Sequence, residues 1–232
     1  MILTSHQPYF FPYLGYWQLI HAADRFLIGD DYAYMTGSWI PRNRILVNGR
    51  TLWFRVPIDH ASCHRDICDT FRAPEPVDTT LLTLEMAYHK APFFAQAYPV
   101  AERILRNPER NLALFLEHSI REICAYLGIT TPVSRTSDLP GNRLLRREER
   151  IYDFCRRVGA DTYINAIGGR TLYDGEAFAR QGLRLQFLHS RPTPYPQFGG
   201  PFAENLSVLD AMMFLSREQL HERLDEYDLI DG

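Results

Sequence analysis

No apolar run in this 232-residue sequence approaches the roughly 20 residues that a membrane-spanning helix needs, so no membrane partner is expected. The chain opens Met-Ile-Leu-Thr-Ser-His without a basic stretch ahead of an apolar one, which argues against a secretory leader. Cysteine is scarce: Cys63, Cys68, Cys124 and Cys155 are too few in a chain this long to form a secreted disulfide scaffold. A cytoplasmic location is expected. Positive charge is not in excess. Lys and Arg number 25 against 28 Asp and Glu, giving a net charge of −3 and a pI near 6.2, which argues against a nucleic-acid partner. There is no Gly-rich dinucleotide fingerprint, no P-loop and no Gly-x-Ser-x-Gly elbow. Fingerprint dehydrogenases, P-loop kinases and α/β hydrolases are therefore disfavoured. Internal repeats and low-complexity tracts are absent too.

What remains is an ordinary globular composition, 46% hydrophobic and 23% charged. The length suits one domain, residues 1–232, that buries roughly 70% of its unfolded surface without covalent staples. Thirteen tyrosines can each pack a ring and still present a polar tip, so a polar-aromatic cleft is one use for them and a scattered core edge the other.

Short apolar segments alternate with amphipathic ones. Residues 2–5, 25–29, 53–58, 162–167 and 183–188 read as strands. Residues 13–23, 144–158 and 175–181 read as helices, and the chain from 206 onward as an acidic helix. Between 79 and 127 the pattern is helical, with breaks near Pro92 and Pro108 and a stop at Gly128. Strand–helix alternation at this spacing predicts a Rossmann-like, three-layer α/β fold with a mainly parallel sheet, helices on both faces and a helical insertion over about 75–130.

Five segments could carry chemistry. His6 and Gln7 stand at the tip of the first strand, before a loop rich in Pro and aromatics that runs into Gly15 and Tyr16. Ligands of open α/β sheets bind beyond the carboxyl ends of strands. Asp30 and Asp31 end the next strand, where a carboxylate can orient His6, bind an amine or hold Mg²⁺, or merely cap a turn. Trp39, Arg42, Asn43 and Arg44 suit a phosphate or carboxylate, or a solvated charged face. Tyr195 and Gln197 sit on a Pro/Gly loop, which is either a substrate loop or a packed connector. The His60–Cys68 segment, with Cys63 and His64, does not match structural zinc spacing, and no metal is assigned to it.

Together these segments resemble the WbqC-like family of bacterial proteins. The resemblance rests on His6-Gln7-Pro8 through Phe11-Pro12-Tyr13-Leu14-Gly15-Tyr16, Ala23-Asp24 and Asp30. It continues through Trp39, Arg42-Asn43-Arg44-Ile45, the segment Ala87-Tyr88-His89-Lys90-Ala91-Pro92, Gly159-Ala160-Asp161, Tyr195-Pro196-Gln197 and Leu206-Ser207-Val208-Leu209-Asp210. It implies work in small-molecule or O-antigen and glycan-precursor assembly. The opening is also similar to that of nucleotidylyltransferases and pantothenate synthetase, but Tyr16 stands where those enzymes carry a second His.

The leading expectation is a transferase that joins an acyl or aminoacyl group to an amine on a small-molecule substrate. In that reading His6 is the general base, Asp30 its partner, and Gln7, Gly15, Tyr16, Trp39, Arg42, Asn43, Arg44, Tyr88, Tyr195 and Gln197 bind substrate. One alternative is a nucleotidyl transferase or ATP-dependent ligase with Mg²⁺ and nucleotide in the same cleft. Another is a non-catalytic subunit of a biosynthetic complex. No cofactor is specified, and a homodimer is possible.

Overall fold

A computed structural model describes residues 1–74, 76–191 and 193–232. In chain order the elements are β1 (Ile2–His6), α1 (Leu14–His21), β2 (Arg25–Ile28), β3 (Arg42–Val47), β4 (Arg50–Arg55), β5 (Ile58–Asp59), β6 (Phe71–Arg72), α2 (Val77–Tyr88), α3 (Phe94–Leu105) and α4 (Leu112–Leu127). They continue with β7 (Val133–Arg135), α5 (Glu148–Val158), β8 (Thr162–Ala166), α6 (Gly175–Arg180), β9 (Arg184–Ser190), α7 (Val208–Phe214), α8 (Arg217–Arg223) and β10 (Tyr227–Asp231).

Six strands form the central sheet in the order β10-β9-β8-β1-β2-β7, all parallel except β10, which runs antiparallel to β9. From β1 the chain builds outward to β2 and β7, then returns to the other side of β1 for β8 and β9. The strand order therefore reverses between β1 and β8, and at such a switch point the loops leave in opposite directions and open a crevice.

The period-2 alternation of each strand divides the core in two. Phe26 and Ile28 of β2 enter a large cluster with α2, α3, α4 and α7. Leu27 joins Leu3, Tyr163, Leu185 and Phe187 against Ile151 and Phe154 of α5 and Phe178 of α6. Helices thus cover both faces, and the Rossmann-like α/β reading holds. The helical insertion is α2 to α4. Its expected boundary at Glu75 lies outside the described residues. Asn111 caps α4, its side chain accepting from the Leu114 N–H at 3.1 Å, and Gly128 ends that helix at φ 75°.

Two expectations change. Residues 206 onward do not form one helix. The chain makes α7 and α8, then turns at Asp225 and Glu226 and returns as β10, whose partner β9 is 37 or more residues away in sequence and invisible to a local pattern. Residues 53–58 are not a strand of the central sheet. They overlap β4, the second arm of a hairpin with β3, joined by Asn48 and Gly49 at φ 48° and 72°. Two consecutive positive φ angles are what an Asn-Gly hairpin turn supplies at little cost. No helix among the described residues is long and apolar enough to cross a membrane.

Candidate active site

A cavity of about 770 Å³ lies at the switch point. Ser5, His6 and Gln7 reach it from the end of β1, Asn165, Ala166, Gly168 and Gly169 from the end of β8. Its volume is that of a small-molecule site. Tyr9, Tyr13, Tyr32, Tyr163 and Tyr173 ring it, and Trp39, Asn43 and Arg44 close it from the side of the β3–β4 hairpin.

His6 is held on three sides. Its Nδ1 lies 3.0 Å from the Gln7 carbonyl oxygen, and its ring meets the edge of Tyr16 at 5.3 Å and Tyr9 at 6.2 Å. A carbonyl can only accept, so Nδ1 carries the proton and Nε2 keeps its lone pair. Burial holds the imidazole below its ordinary pKa, against a smaller opposing pull from the Gln7 carbonyl. The ring is therefore neutral at pH 7, with one basic nitrogen to offer.

Burial acts oppositely on the phenols. Tyr9 and Tyr163 are raised well above their ordinary value, Tyr13 and Tyr173 are raised, and Tyr32 is pushed up to about 12. All five stay protonated; Tyr163 already donates to the Ser5 carbonyl oxygen at 3.3 Å, which leaves Tyr9, Tyr13, Tyr32 and Tyr173 as donors for a ligand. Asn165 accepts the Ala166 N–H at 2.8 Å through its Oδ1, which leaves its amide NH₂ to a ligand. Gly169 permits this: a Cβ there would stand 2.6 Å from Asn165 Nδ2. Among the described residues Arg44 is the one permanent cation in the wall, and no Asp or Glu lines it. In such a place a ligand's negative charge meets a fixed cation and neutral donors, with no carboxylate to oppose it.

The family model for the WbqC-like protein family matches residues 7–222. The chain belongs to that family. Among its relatives is the "Uncharacterized protein Rv1507c" of Mycobacterium tuberculosis, 28% identical over 216 residues that cover 91% of this chain and 93% of that protein. No solved structure matches this chain.

Of the residues that sequence points to in this WbqC-like protein, His6, Gln7, Trp39, Asn43 and Arg44 meet at the cavity. Asn43 does so as a strut. Its Nδ2 donates to the carbonyls of Phe10 and Phe11 at 3.1 and 2.6 Å, pinning the β1–α1 loop to the hairpin. Gly15 serves a neighbour: a Cβ there would strike the Tyr13 ring at 2.5 Å, so the glycine seats a wall residue. Tyr16 is buried behind His6, and Arg42 lies outside the cavity against Trp53.

Asp30 is not the partner of His6. Its fully buried carboxylate accepts from Ser137 N–H at 3.0 Å, Ser137 Oγ at 2.7 Å and Thr136 Oγ1 at 3.3 Å, turned toward the segment after β7. Asp31 is clasped by Arg150 at 2.7 and 2.8 Å. Both carboxylates that a Mg²⁺–nucleotide reading would use are thus engaged within the fold. The Gln7 carbonyl and the Tyr9 and Tyr16 rings orient His6 instead.

Tyr88, Tyr195 and Gln197 also turn away from the cavity. They converge on the fully buried Asp210, donating to its carboxylate at 2.9, 2.8 and 2.6 Å. The residues lie on α2, on the loop after β9 and on α7, so the cluster bolts that loop to the helical layer. The loop carries Asn205, which lines the cavity and accepts from Arg44 Nη2 at 3.2 Å. Burial raises the Asp210 pKa, and the three hydrogen bonds pull it back only in part. The folded state therefore holds this proton more tightly than the unfolded chain. The contribution is full below about pH 3.9 and fades as pH rises through the raised folded value. Asp210→Asn should flatten that part of a Tm-against-pH curve. Asp210→Ala leaves three buried donors without an acceptor and should cost about 3 kcal/mol or more in urea unfolding.

Tyr32, Tyr163, Asn165, Tyr173 and Asn205 are wall residues that sequence reading passed over. The available signal was the Gly168-Gly169 pair directly after the β8 strand, which marks a second strand end where the backbone needs room.

Proposed function

We propose that this WbqC-like protein is a transferase of small-molecule or glycan-precursor biosynthesis that joins an acyl or aminoacyl group to an amine. The observation that carries the reading is the neutral His6, its Nδ1 committed to a carbonyl and its Nε2 left basic, in a cavity at the switch point that no carboxylate among the described residues lines. The amine nitrogen attacks the acyl carbonyl carbon, the bond from that carbon to its leaving group breaks, and the amine proton passes to His6 Nε2. Buried phenols donate to the carbonyl oxygen as it gains charge. Arg44 holds an anionic part of a substrate. Among the described residues no cysteine lines the cavity, and neither Ser5 nor Ser38 is hydrogen-bonded to His6, which favours direct transfer over a covalent intermediate.

All four cysteines are unpaired, which suits a reducing compartment, and we place the reaction in the cytoplasm. The test is a transfer assay read by mass spectrometry, with acetyl and glycyl thioesters against a panel of amines that includes amino sugars. The expected result is a protein-dependent product heavier by the acyl group. No product from any pair, with pathway output unchanged by His6→Ala in cells, would instead identify a non-catalytic subunit.

A further inference from the structure

Three features lead outward from the mouth of the cavity. Trp39 and Trp53 are 45% and 49% exposed, while the third tryptophan, Trp17, is fully buried. Their rings lie 5.1 Å apart. The Arg42 guanidinium sits over Trp53 at 4.4 Å, and that of Arg44 over Trp39 at 5.3 Å.

The four side chains form one layered strip on the outer side of the β3–β4 hairpin. It continues the cavity outward, because Trp39 and Arg44 line the cavity and Trp53 and Arg42 stand beyond it. The strip is short of anions. Arg42 bonds the carbonyls of Ser38 and Gly37, Arg44 bonds the carbonyl of Asn205, and neither pairs with a carboxylate among the described residues. Arg44 Nε is buried with no hydrogen-bond partner among the described residues. On a chain of net charge −3 this is a local cationic strip with exposed aromatic faces.

We propose that the strip binds the phosphorylated adenosine of a coenzyme A-type thioester, placing the acyl donor's arm in the cavity beside His6. Resting on the transfer reading above, this names the donor. An indole face stacks a purine with little regard for sequence or substituent, and a guanidinium binds phosphate through two parallel hydrogen bonds. A nucleotide handle that needs no metal fits best, because no carboxylate among the described residues lines the cavity or pairs with Arg42 or Arg44, and coenzyme A meets that condition where Mg²⁺–ATP does not.

Tryptophan emission reads the contact directly, since two of the three tryptophans are in the strip. Adenosine 3′,5′-bisphosphate and coenzyme A should both quench it saturably. Added salt should weaken binding, and pantetheine, lacking the nucleotide, should not quench. Trp53→Ala should weaken binding about fivefold or more, judged by displacement in calorimetry because the variant loses a reporter. Arg42→Gln should weaken it as well, with unchanged Tm required of each variant. The proposal is overturned by no saturable quenching, by equal affinity for pantetheine, by Mg²⁺–ATP binding in place of the bisphosphate, or by full affinity in Trp53→Ala. His6→Gln should bind the bisphosphate as the native chain does. Transfer without bisphosphate binding removes the strip alone, and bisphosphate binding without transfer removes the reaction alone.

Discussion

Replacing His6 by Gln should lower kcat/KM for acyl transfer by about 10²- to 10⁴-fold, the usual contribution of a positioned general base. Gln fills most of the ring's space and keeps a polar end, so Tm should change little. The pH profile separates a base from a strut. The active form is the neutral imidazole, and burial keeps it neutral to lower pH than in a free histidine. In the native protein kcat/KM should therefore rise with pH through a midpoint below 6.5, the ordinary value. The residual rate of His6→Gln should lack that limb. A variant that loses rate but keeps the limb would show that another group moves the proton.

The largest effect on stability should come from Arg150. Its guanidinium grips Asp31 at 2.7 and 2.8 Å and Asn142 Oδ1 at 2.9 Å, and lies over the Tyr32 ring at 4.3 Å. The two side chains of the ion pair are 8% and 3% exposed. An ion pair this far from water loses more when one partner is removed than it contributes when intact, because the other charge is left buried alone. Arg150→Met should cost about 3–5 kcal/mol in urea unfolding. Adding Asp31→Asn should recover part of the loss, and a double-mutant cycle measures how much. If the single variant lost under about 1 kcal/mol, the pair would have to be hydrated in solution. Tyr32 lines the cavity beneath this guanidinium, so the same variant should also bind substrate less well.

The fold was readable because its signals are local. Gly128, at positive φ, stops α4 where a helix-ending glycine was expected, and Gly159 ends α5 in the same conformation. Pro92 and Pro108 separate the three helices of the insertion. The site was readable only in outline. The ends of strands can be located by pattern, so His6 and Gln7 were placed at the cavity. The direction a side chain turns depends on what meets it from elsewhere, and Asp30 turned to Ser137, 107 residues away, rather than to His6. Tyr88, Tyr195 and Gln197 mislead for a similar reason. A polar residue that serves a buried carboxylate such as Asp210 cannot be told from one that serves a ligand until the fold brings them together.

The margins of the central sheet bear on how this protein behaves in crowded solution. At one margin β7 has only three residues, and its Arg135 pairs with Asp138 at 2.9 Å. At the other, β10 carries Asp228 and Asp231, paired to Arg191 and Arg184 of the β9 region at 3.3 and 2.8 Å. A short rim and a charged rim both resist the docking of a stranger's strand. Both margins of the sheet thus carry features that oppose edge-to-edge growth into fibrils.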